Sequence, residues 1–434
     1  MFKRLLIAVG VLLSHNSYAK YDVQECVLDN GLRIVFIKKS PSTVACFSVW
    51  YKCGSIQDFP SKSGVAHFLE HMAFEIDGRK FGNFLENIGA ENNAFTSYDK
   101  ICFYEIFDKK HFDEIAKNEA QRMRKIDIDN KSFQAEKGAI LEERNFRIDN
   151  DPDGCSSEDV LANIFNRKPG GVEIIGWKHE IQSITKEDIQ KYHDAWFAPN
   201  NAVIVIVGDL NFEEIQSIIK KHFGEIHQKD VGSIIKSNYI PNNKRLISYS
   251  SPKMKSFSLE FIYPIYNLNF RKKLALKLAI RALNLPESKV KKSLEFILKK
   301  TLNCSFGTCI NNMFAYNFVN VSLICSSINE LDSNKNLWEF FKKTIIKNGI
   351  TQGNLDIIKR KILAEQAYEQ DDVSGVGNYL GYQIISGDSI DEIANLRETM
   401  QSISLKECND VLRDLFSQEP SAIIENRWKG FDRE

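Results

Sequence analysis

Two histidines with a glutamate between them are the residues of this 434-residue chain whose types and spacing could do chemistry. They lie in His67-Phe68-Leu69-Glu70-His71. On an α-helix, side chains four positions apart lie about 5 to 6 Å apart at Cβ, so His67 and His71 can bind one cation. Glu70 projects to the edge of the same face. Two neutral imidazoles favour zinc over calcium or magnesium. The plainer alternative is a pair of surface histidines on an amphipathic helix.

A hydrolytic zinc site needs a third protein ligand, because such sites usually have three protein ligands and one open position for water. The helix predicted from about Lys131 to Arg147 carries three candidates, Glu136, Glu142 and Glu143. Glu136 and Glu143 are two helical turns apart and share a face, whereas Glu142 lies about 100° round the helix. We therefore predict Glu143 as the third ligand, Glu136 behind it, and Glu142 as a solvated or salt-bridged residue.

The overall composition is that of a globular protein of two or three domains. Apolar residues make up 43% of the chain and charged residues 26%, and 57 basic residues balance 57 acidic ones. This balance leaves no dominant basic patch, and the cysteines lack zinc-finger spacing. The composition therefore argues against a disordered chain and against a nucleic-acid-binding protein.

The first 19 residues have the form of a secretory signal. Lys3-Arg4 is followed by an apolar run from Leu5 to Leu13 and by the small-x-small site Ser17-Tyr18-Ala19. A short membrane anchor is the alternative, but the apolar run is far shorter than the roughly 20 residues that span a bilayer. We expect cleavage near Ala19, export to a bacterial periplasm and no integral membrane segment.

The order of predicted elements repeats once along the chain. The first half has three strands, the histidine helix, two more strands, several helices and a β-branched strand at 202–207 that we expect to be covered on both faces. Periodicity is lost at 224–244, and strands and helices then follow in a similar order. The layout predicts two related α/β domains, 20–223 and 245–434, joined by a linker at 224–244.

The sequence around the histidines resembles that of the pitrilysin-type, insulinase-like family of metallopeptidases, peptidase family M16. The similarity is greatest to the half-length branch that includes the mitochondrial processing peptidase subunits. The His-x-x-Glu-His order is the inverted zinc-protease motif. The resemblance is dense in the first half and loose in the second, and these segments carry it in order: Leu28-Asp29-Asn30-Gly31-Leu32, Trp50 to Ser55, Gly64 to Met72, Asn93 to Ser97, Ala139 to Glu143, Gly176-Trp177, Tyr192 and Ala198 to Asn201.

The resemblance implies a fold and a set of roles. The fold would be α+β in layers, with two related domains that each pack a mostly antiparallel sheet against helices. His67, His71 and Glu143 fall on the ligands of one zinc ion per chain, Glu70 on the general base that works with a zinc-activated water, and Glu136 on a supporting catalytic glutamate.

The same resemblance places Asn93, Ala94 and Phe95 on an edge strand that binds the substrate as an added β-strand. Backbone pairing of this kind makes few demands on side chains and suits peptides of varied sequence. Without the resemblance, Asn93 is equally well explained as a turn residue that opens a strand.

The second half departs from the family pattern at two helper positions. Lys299 stands where the family has an arginine, and Phe306 where it has a tyrosine. Phenylalanine has no hydroxyl and lysine lacks the planar fork of arginine. We therefore expect a sister chain to supply the arginine and tyrosine in a heterodimer, with a homodimer as the alternative. The stretch Lys289 to Lys300 is also compatible with a plain basic, solvated helix.

The predicted function is that of a zinc metalloendopeptidase acting on peptides or unfolded polypeptide segments. The alternative is a non-catalytic core, scaffold or peptide-binding subunit of a processing-peptidase-like complex. Such relatives usually have a missing or altered zinc motif, whereas this motif is complete. The nine cysteines are expected to be mostly small buried residues, with a Cys304–Cys309 bridge as an alternative for that pair.

Overall fold

Two β-sheets, one in each half of the chain, organise the molecule. The structure, a computed structural model, describes residues 22–428 except for 76–77, 166–170, 233–244, 252–256, 266–267, 294–295, 297–304, 314–315, 326–337, 341 and 370–371. The predicted signal, most of the predicted linker and Lys299 therefore lie outside the described residues.

The first sheet has six strands in the order β1-β2-β6-β3-β5-β4. Only β2 and β6 run parallel, and the other neighbours are antiparallel. The predicted turn at Asp29-Asn30-Gly31 joins β1 and β2, with Gly31 at φ +82°. The strands are β1 (Asp22–Val27), β2 (Arg33–Lys38), β3 (Val44–Tyr51), β4 (Glu91–Thr96), β5 (Ile101–Asp108) and β6 (Ala202–Gly208).

Eight α-helices belong to this half of the described chain: α1 (Val65–Met72), α2 (Lys80–Asn87), α3 (Phe112–Arg124), α4 (Asn130–Arg144), α5 (Pro152–Ile164), α6 (Lys178–Ser183), α7 (Lys186–Trp196) and α8 (Phe212–Phe223). Short 3-10 turns lie at Ser55–Gln57, Lys109–His111 and Pro199–Asn201. A π-helical turn, Asn145–Asp149, directly follows α4.

The second sheet repeats most of this topology. Its order is β7-β11-β8-β10-β9, again with one parallel pair, β7 with β11. Its strands are β7 (Arg245–Ser251), β8 (Phe257–Ile265), β9 (Ser305–Met313), β10 (Tyr316–Cys325) and β11 (Ala422–Trp428). The helices with defined bounds are α9 (Phe270–Leu283), α10 (Gln352–Glu369), α11 (Val373–Ile385), α12 (Ile390–Ala394), α13 (Leu396–Ser402) and α14 (Leu405–Phe416).

In each sheet the strand that comes last in the sequence lies between two earlier strands and runs parallel to one of them: β6 is parallel to β2, and β11 is parallel to β7. The matching orders, β2-β6-β3-β5-β4 and β7-β11-β8-β10-β9, confirm the predicted fold class of two related, mostly antiparallel sheets packed with helices. The domain boundaries at 20–223, 224–244 and 245–434 stay predictions.

Helices cover the first sheet on both faces. Residues such as Phe47, Val49 and Ile204 pack towards α1 and α3, whereas the alternating Cys46 and Trp50 pack towards α11 from the second half. All seven residues of β6 are buried, as predicted for a strand covered on both faces. Within the described part of the chain, no helix is both long enough and apolar enough to cross a bilayer.

The cysteines mostly behave as the sequence predicts. Cys46, Cys53, Cys102 and Cys408 are buried free thiols, while Cys26 and Cys155 are half-buried and also free. Cys304 lies outside the described residues, so the Cys304–Cys309 alternative stays a prediction.

Candidate metal centre

Helix α1 carries the two histidines and is fixed firmly at its beginning. Asp58 accepts hydrogen bonds from the backbone N–H groups of Gly64 and Ala66, at 2.7 and 3.0 Å. Gly64 has φ +89°, and a Cβ there would lie 2.4 Å from the carbonyl oxygen of Ile175, so only glycine fits. The helix therefore starts at one defined residue, which sets the direction in which its side chains project.

The structure brings His67, His71 and Glu143 together. Glu143 Oε2 lies 3.7 Å from His67 Nε2 and 3.6 Å from His71 Nε2. Zinc bonds of about 2.0 to 2.2 Å place the ligand atoms of a tetrahedral site about 3.3 to 3.6 Å apart. Both distances from Glu143 Oε2 are close to this spacing, and all three donor atoms lie within 4.8 Å of one another, so they can share one zinc ion. In the described chain they form the one group of three or more His, Cys, Asp or Glu residues close enough to share a metal.

Glu136 lies behind His71 and contacts the ring nitrogen that faces away from Glu143. Its Oε2 atom is 2.9 Å from His71 Nδ1. A proton on Nδ1 that is donated to this carboxylate leaves the lone pair on Nε2, which faces Glu143. Glu136 thus fixes the ring orientation and tautomer that a metal ligand needs.

The electrostatics of the metal-free site favour neutral imidazole at His67, protonated imidazole at His71 and an ionised carboxylate at Glu143. Burial, followed by the nearby His71, lowers the pKa of His67 to about 4. Burial also acts to lower the pKa of His71, but hydrogen bonds with Glu143 and Glu136 outweigh it and the pKa is raised. The hydrogen bond with His71 is the largest cause that lowers the pKa of Glu143. Two imidazoles and one carboxylate form a donor set that suits zinc.

Glu70 lies beside the three donors and is 9% exposed. Thr96 Oγ1 donates a hydrogen bond to Glu70 Oε2 at 2.5 Å. Burial raises the pKa of Glu70, and the hydrogen bond from Thr96 partly opposes this effect. A shielded carboxyl group with a raised pKa, next to a metal site, is suited to accept and release a proton.

Two arginines, one at the end of α4 and one in the π-helical turn after it, hold the region around Glu143 in place. Arg147 Nη1 lies 2.8 Å from Glu143 Oε1, so the oxygen that faces away from the histidines is paired. The buried Arg144 binds both carboxylate oxygens of Glu158, at 2.7 and 2.9 Å, and anchors α4 to α5. Glu142 is exposed, in agreement with its predicted role as a solvated residue.

The structure describes the predicted substrate-binding residues in full but the predicted helper residues only in part. Asn93, Ala94 and Phe95 lie within β4, an edge strand of the first sheet that begins at Glu91, so Asn93 is not a turn residue that opens the strand. Phe306 lies on β9, the edge strand of the second sheet, opposite Leu323, but its side chain lies outside the described part of the structure, as does all of Lys299.

Sequence reasoning missed three residues that support the site: Thr96, Arg144 and Arg147. Arg147 could have been found, because a glutamate and an arginine four apart on a helix are a known pairing signal. The contact between Thr96 and Glu70 joins a strand to a helix 26 positions away in sequence, and no local pattern reports such a contact.

Two family models match consecutive parts of the chain. Residues 33–176 match the model described as insulinase (peptidase family M16), and residues 183–362 match the model described as the peptidase M16 inactive domain. Together they cover about three quarters of the sequence. Both agree with the family resemblance in the sequence.

Individual relatives agree with these matches. The chain is 29% identical over 235 residues to the zinc protease PqqE of Helicobacter pylori, covering 53% of each protein. It is 28% identical over 203 residues to the mitochondrial-processing peptidase subunit beta of Lentinula edodes, covering 46% of this chain and 43% of the relative. The matched segment spans about half the length of these curated relatives.

A solved structure described as a protease from Helicobacter pylori has the same fold. It aligns with a TM-score of 0.81 and 22% sequence identity over 94% of this chain and all of the other.

Proposed function

The chain belongs to peptidase family M16, and we propose that it is a zinc-dependent endopeptidase that cleaves peptides or unfolded polypeptide segments. The observation that carries the proposal is the spacing of 3.6 and 3.7 Å between Glu143 Oε2 and the two imidazole nitrogens. That spacing supports one zinc ion held by His67, His71 and Glu143. When bound, zinc would supply Lewis-acid polarisation and lower the pKa of water towards about 7.

Glu70 is proposed to move the proton. Its carboxylate would accept a proton from the attacking water and later donate it to the amine that leaves the cleaved peptide. The burial that raises its pKa helps the first step, because the carboxylate becomes a stronger base, and it lets Glu70 hold the proton until the amine takes it. Glu136 would support catalysis indirectly by orienting His71.

The edge strand β4 is proposed to bind the substrate. Among the residues that the structure describes, no strand neighbours its outer side, so a peptide can add there through backbone hydrogen bonds. Asn93, Ala94 and Phe95 would form this contact. The next residue in the strand, Thr96, bonds the carboxylate of Glu70, so the bound peptide would lie close to that carboxylate. Recognition through the backbone fits a preference for extended or unfolded chains.

The active form is proposed to be a heterodimer with a sister chain. Phe306 lacks the hydroxyl, and Lys299 the planar fork of donors, that a tyrosine and an arginine would bring to the scissile carbonyl. The relative from Lentinula edodes is itself described as a subunit, which supports pairing in this branch. A homodimer is the alternative assembly. The form of residues 1–19 supports export and a periplasmic location.

A scaffold or peptide-binding subunit is the second candidate. One finding favours it: residues 183–362 match a model described as an inactive domain. The complete set of His67, Glu70, His71 and Glu143 argues for the enzyme instead, because a scaffold has no need to retain both metal donors and a proton carrier.

Cleavage of a set of unstructured peptides by the purified chain, with zinc measured in the same samples, tests the proposal. Glu70→Gln is expected to keep zinc and lose cleavage, whereas His67→Ala and Glu143→Gln are expected to lose zinc. Glu142→Gln is the matched control, because this exposed neighbour should change neither. Zinc binding without cleavage would support a half-enzyme that needs its partner. A wild-type chain without zinc would contradict the enzyme and support the scaffold.

A further inference from the structure

We infer that Thr96 is a positioning residue that aligns Glu70 and links the proposed proton carrier to the substrate strand. The inference rests on the proposed function and goes beyond it, because it assigns a role to a residue outside the proposed metal donors and proton carrier. It acts through the carboxylate of Glu70.

The contact is short and shielded from water. Thr96 Oγ1 lies 2.5 Å from Glu70 Oε2, at a carboxyl group that is 9% exposed. Hydrogen bonds to a charged acceptor are among the stronger ones in proteins. This bond fixes the position of Oε2, while the remaining lone pairs of the carboxylate can still receive a proton.

The hydroxyl group can serve both protonation states of Glu70. It donates to Oε2 when the carboxylate is ionised, and it can still donate to Oε2 when the proton sits on the other oxygen. A donor that works in both states keeps the carboxyl group in one orientation through proton uptake and proton release. Catalytic groups held in this way need less reorganisation during the reaction.

Thr96 also marks where the free edge of β4 reaches the site. Thr96 lies opposite Ile101 and Ala94 opposite Phe103, so the two residues have the same position in the alternating pattern of antiparallel hydrogen bonds. Ser97 N–H donates to the carbonyl oxygen of Lys100 in the turn between β4 and β5, so the N–H groups of Thr96 and Ala94, one and three positions earlier, face outwards. The N–H of Ala94 is bonded to Asn93 Oδ1 at 2.8 Å, where a carbonyl of an added strand would otherwise bind.

A peptide strand that pairs with Ala94 therefore runs on towards Glu70, and Thr96 lies between the two. The same residue ends the substrate-binding edge and orients the proton carrier. The register of the bound peptide and the position of the carboxylate are thus set by one short segment of backbone.

The test compares Thr96→Val with Thr96→Ser in the full chain. Valine keeps the shape and β-branching but removes the hydroxyl, whereas serine restores it. With zinc content and thermal stability matched to wild type, we expect Thr96→Val to lower kcat about ten- to a hundredfold, the size of a lost hydrogen bond to a charged group. KM should stay within about twofold, and Thr96→Ser should recover most of kcat.

Ala94→Pro provides the contrast, because it removes an outward N–H and should raise KM more than it lowers kcat. A second readout does not depend on turnover: affinity for a peptide hydroxamate, which passes a proton to the base beside the metal, should fall in Thr96→Val and return in Thr96→Ser. Unchanged kcat and hydroxamate affinity in Thr96→Val, or equal losses in valine and serine variants, would overturn the role of Thr96. A wild-type chain that binds no zinc would overturn the proposed function itself, and the role of Thr96 with it.

Discussion

The carboxylate of Glu143 is held from two sides, and this fixes which oxygen is free for a metal. His67 and His71 face Oε2, while Arg147 pairs with Oε1 at 2.8 Å. Arg147 is 67% exposed at its side chain, so the ion pair is screened by solvent and contributes little to folding. Its effect should instead appear in the geometry of the metal site.

Arg147→Ala is therefore expected to weaken zinc affinity with little loss of stability. Removing an outer partner of a metal ligand typically costs about 10- to 100-fold in affinity, and the exposure of Arg147 places it near the lower end. Zinc affinity would be measured by competition with a chelator. Arg413→Ala, which breaks a similar exposed pair with Asp410 at 2.8 Å on α14, is the matched control. Equal zinc affinity in wild type and Arg147→Ala would contradict the role of Arg147.

The metal donors could be predicted because helical geometry relates residues that are four or seven positions apart. His67 with His71, and Glu136 with Glu143, needed no knowledge of the tertiary fold. The contact between α1 and α4 that closes the site, and the contact between Thr96 and Glu70, depend on packing between distant segments. These contacts follow from the fold as a whole and have no signal in local sequence.

At the level of elements, a buried triad joins strand β5, helix α3 and the end of α1. Arg122 is 1% exposed and contacts Glu105 Oε1 at 3.3 Å as well as Glu119 Oε1. Its Nε donates to the carbonyl oxygen of Ala73, just beyond the histidine helix. Two carboxylates share one guanidinium group in this triad, so one negative charge is left over unless a proton neutralises it.

The excess charge gives a pH prediction. Burial and then the nearby Glu119 raise the pKa of Glu105 well above its ordinary value. A carboxyl group with a raised pKa in the folded protein favours folding while it is protonated. This contribution is fully present below the unfolded pKa of about 4.3 and is lost as pH rises through the native pKa. Within that window the free energy of unfolding should fall by about 1.4 kcal/mol per pH unit.

Glu105→Gln should remove this slope, because glutamine resembles the protonated acid at every pH. Urea midpoints of wild type and variant should therefore diverge in favour of the variant as pH rises between about 5 and 8. Glu86→Gln, on the exposed side of α2, controls for the loss of one carboxylate from the chain. Parallel midpoints across that pH range would mean that Glu105 is ionised in the folded protein.

Most elements of the first half could be predicted, and the reason is their periodicity. Residue types typical of strands predicted β1, β2 and β3, alternation predicted β4 and β5 as a pair, and a continuous β-branched run predicted β6 as a strand covered on both faces. The order of strands in the sheet could not be derived in the same way. β6 lies between β2 and β3, which are more than 140 residues earlier in the sequence. Pairing between such distant strands cannot be predicted from the local sequence of either one.

On the scale of the whole molecule, helix α11 from the second half covers the outer face of the first sheet. Val376, Leu380 and Ile384 pack there against residues that include Cys46 and Trp50. Two glycines allow the close approach: a Cβ on Gly377 would lie 3.0 Å from Cys46 Sγ, and one on Gly381 only 2.3 Å from Trp50 Cε2. The metal donors lie on the opposite side of the sheet, with α1 and α4.

Gly381→Ala should therefore destabilise the protein, against the usual trend for helices. Replacing glycine by alanine inside a helix normally stabilises by about 0.5 to 1 kcal/mol, but overpacking at Trp50 should cost about 1 to 3 kcal/mol. Gly138→Ala in α4 is the matched control, since a Cβ there meets nothing within 4 Å and should give the ordinary gain. Denaturant midpoints measure both effects, and zinc content should stay unchanged in Gly381→Ala because its clash lies across the sheet from the donors. A stabilised Gly381→Ala would contradict the tight packing of α11 on Trp50, and a loss of zinc would mean that the covering helix also sets the geometry of the metal centre.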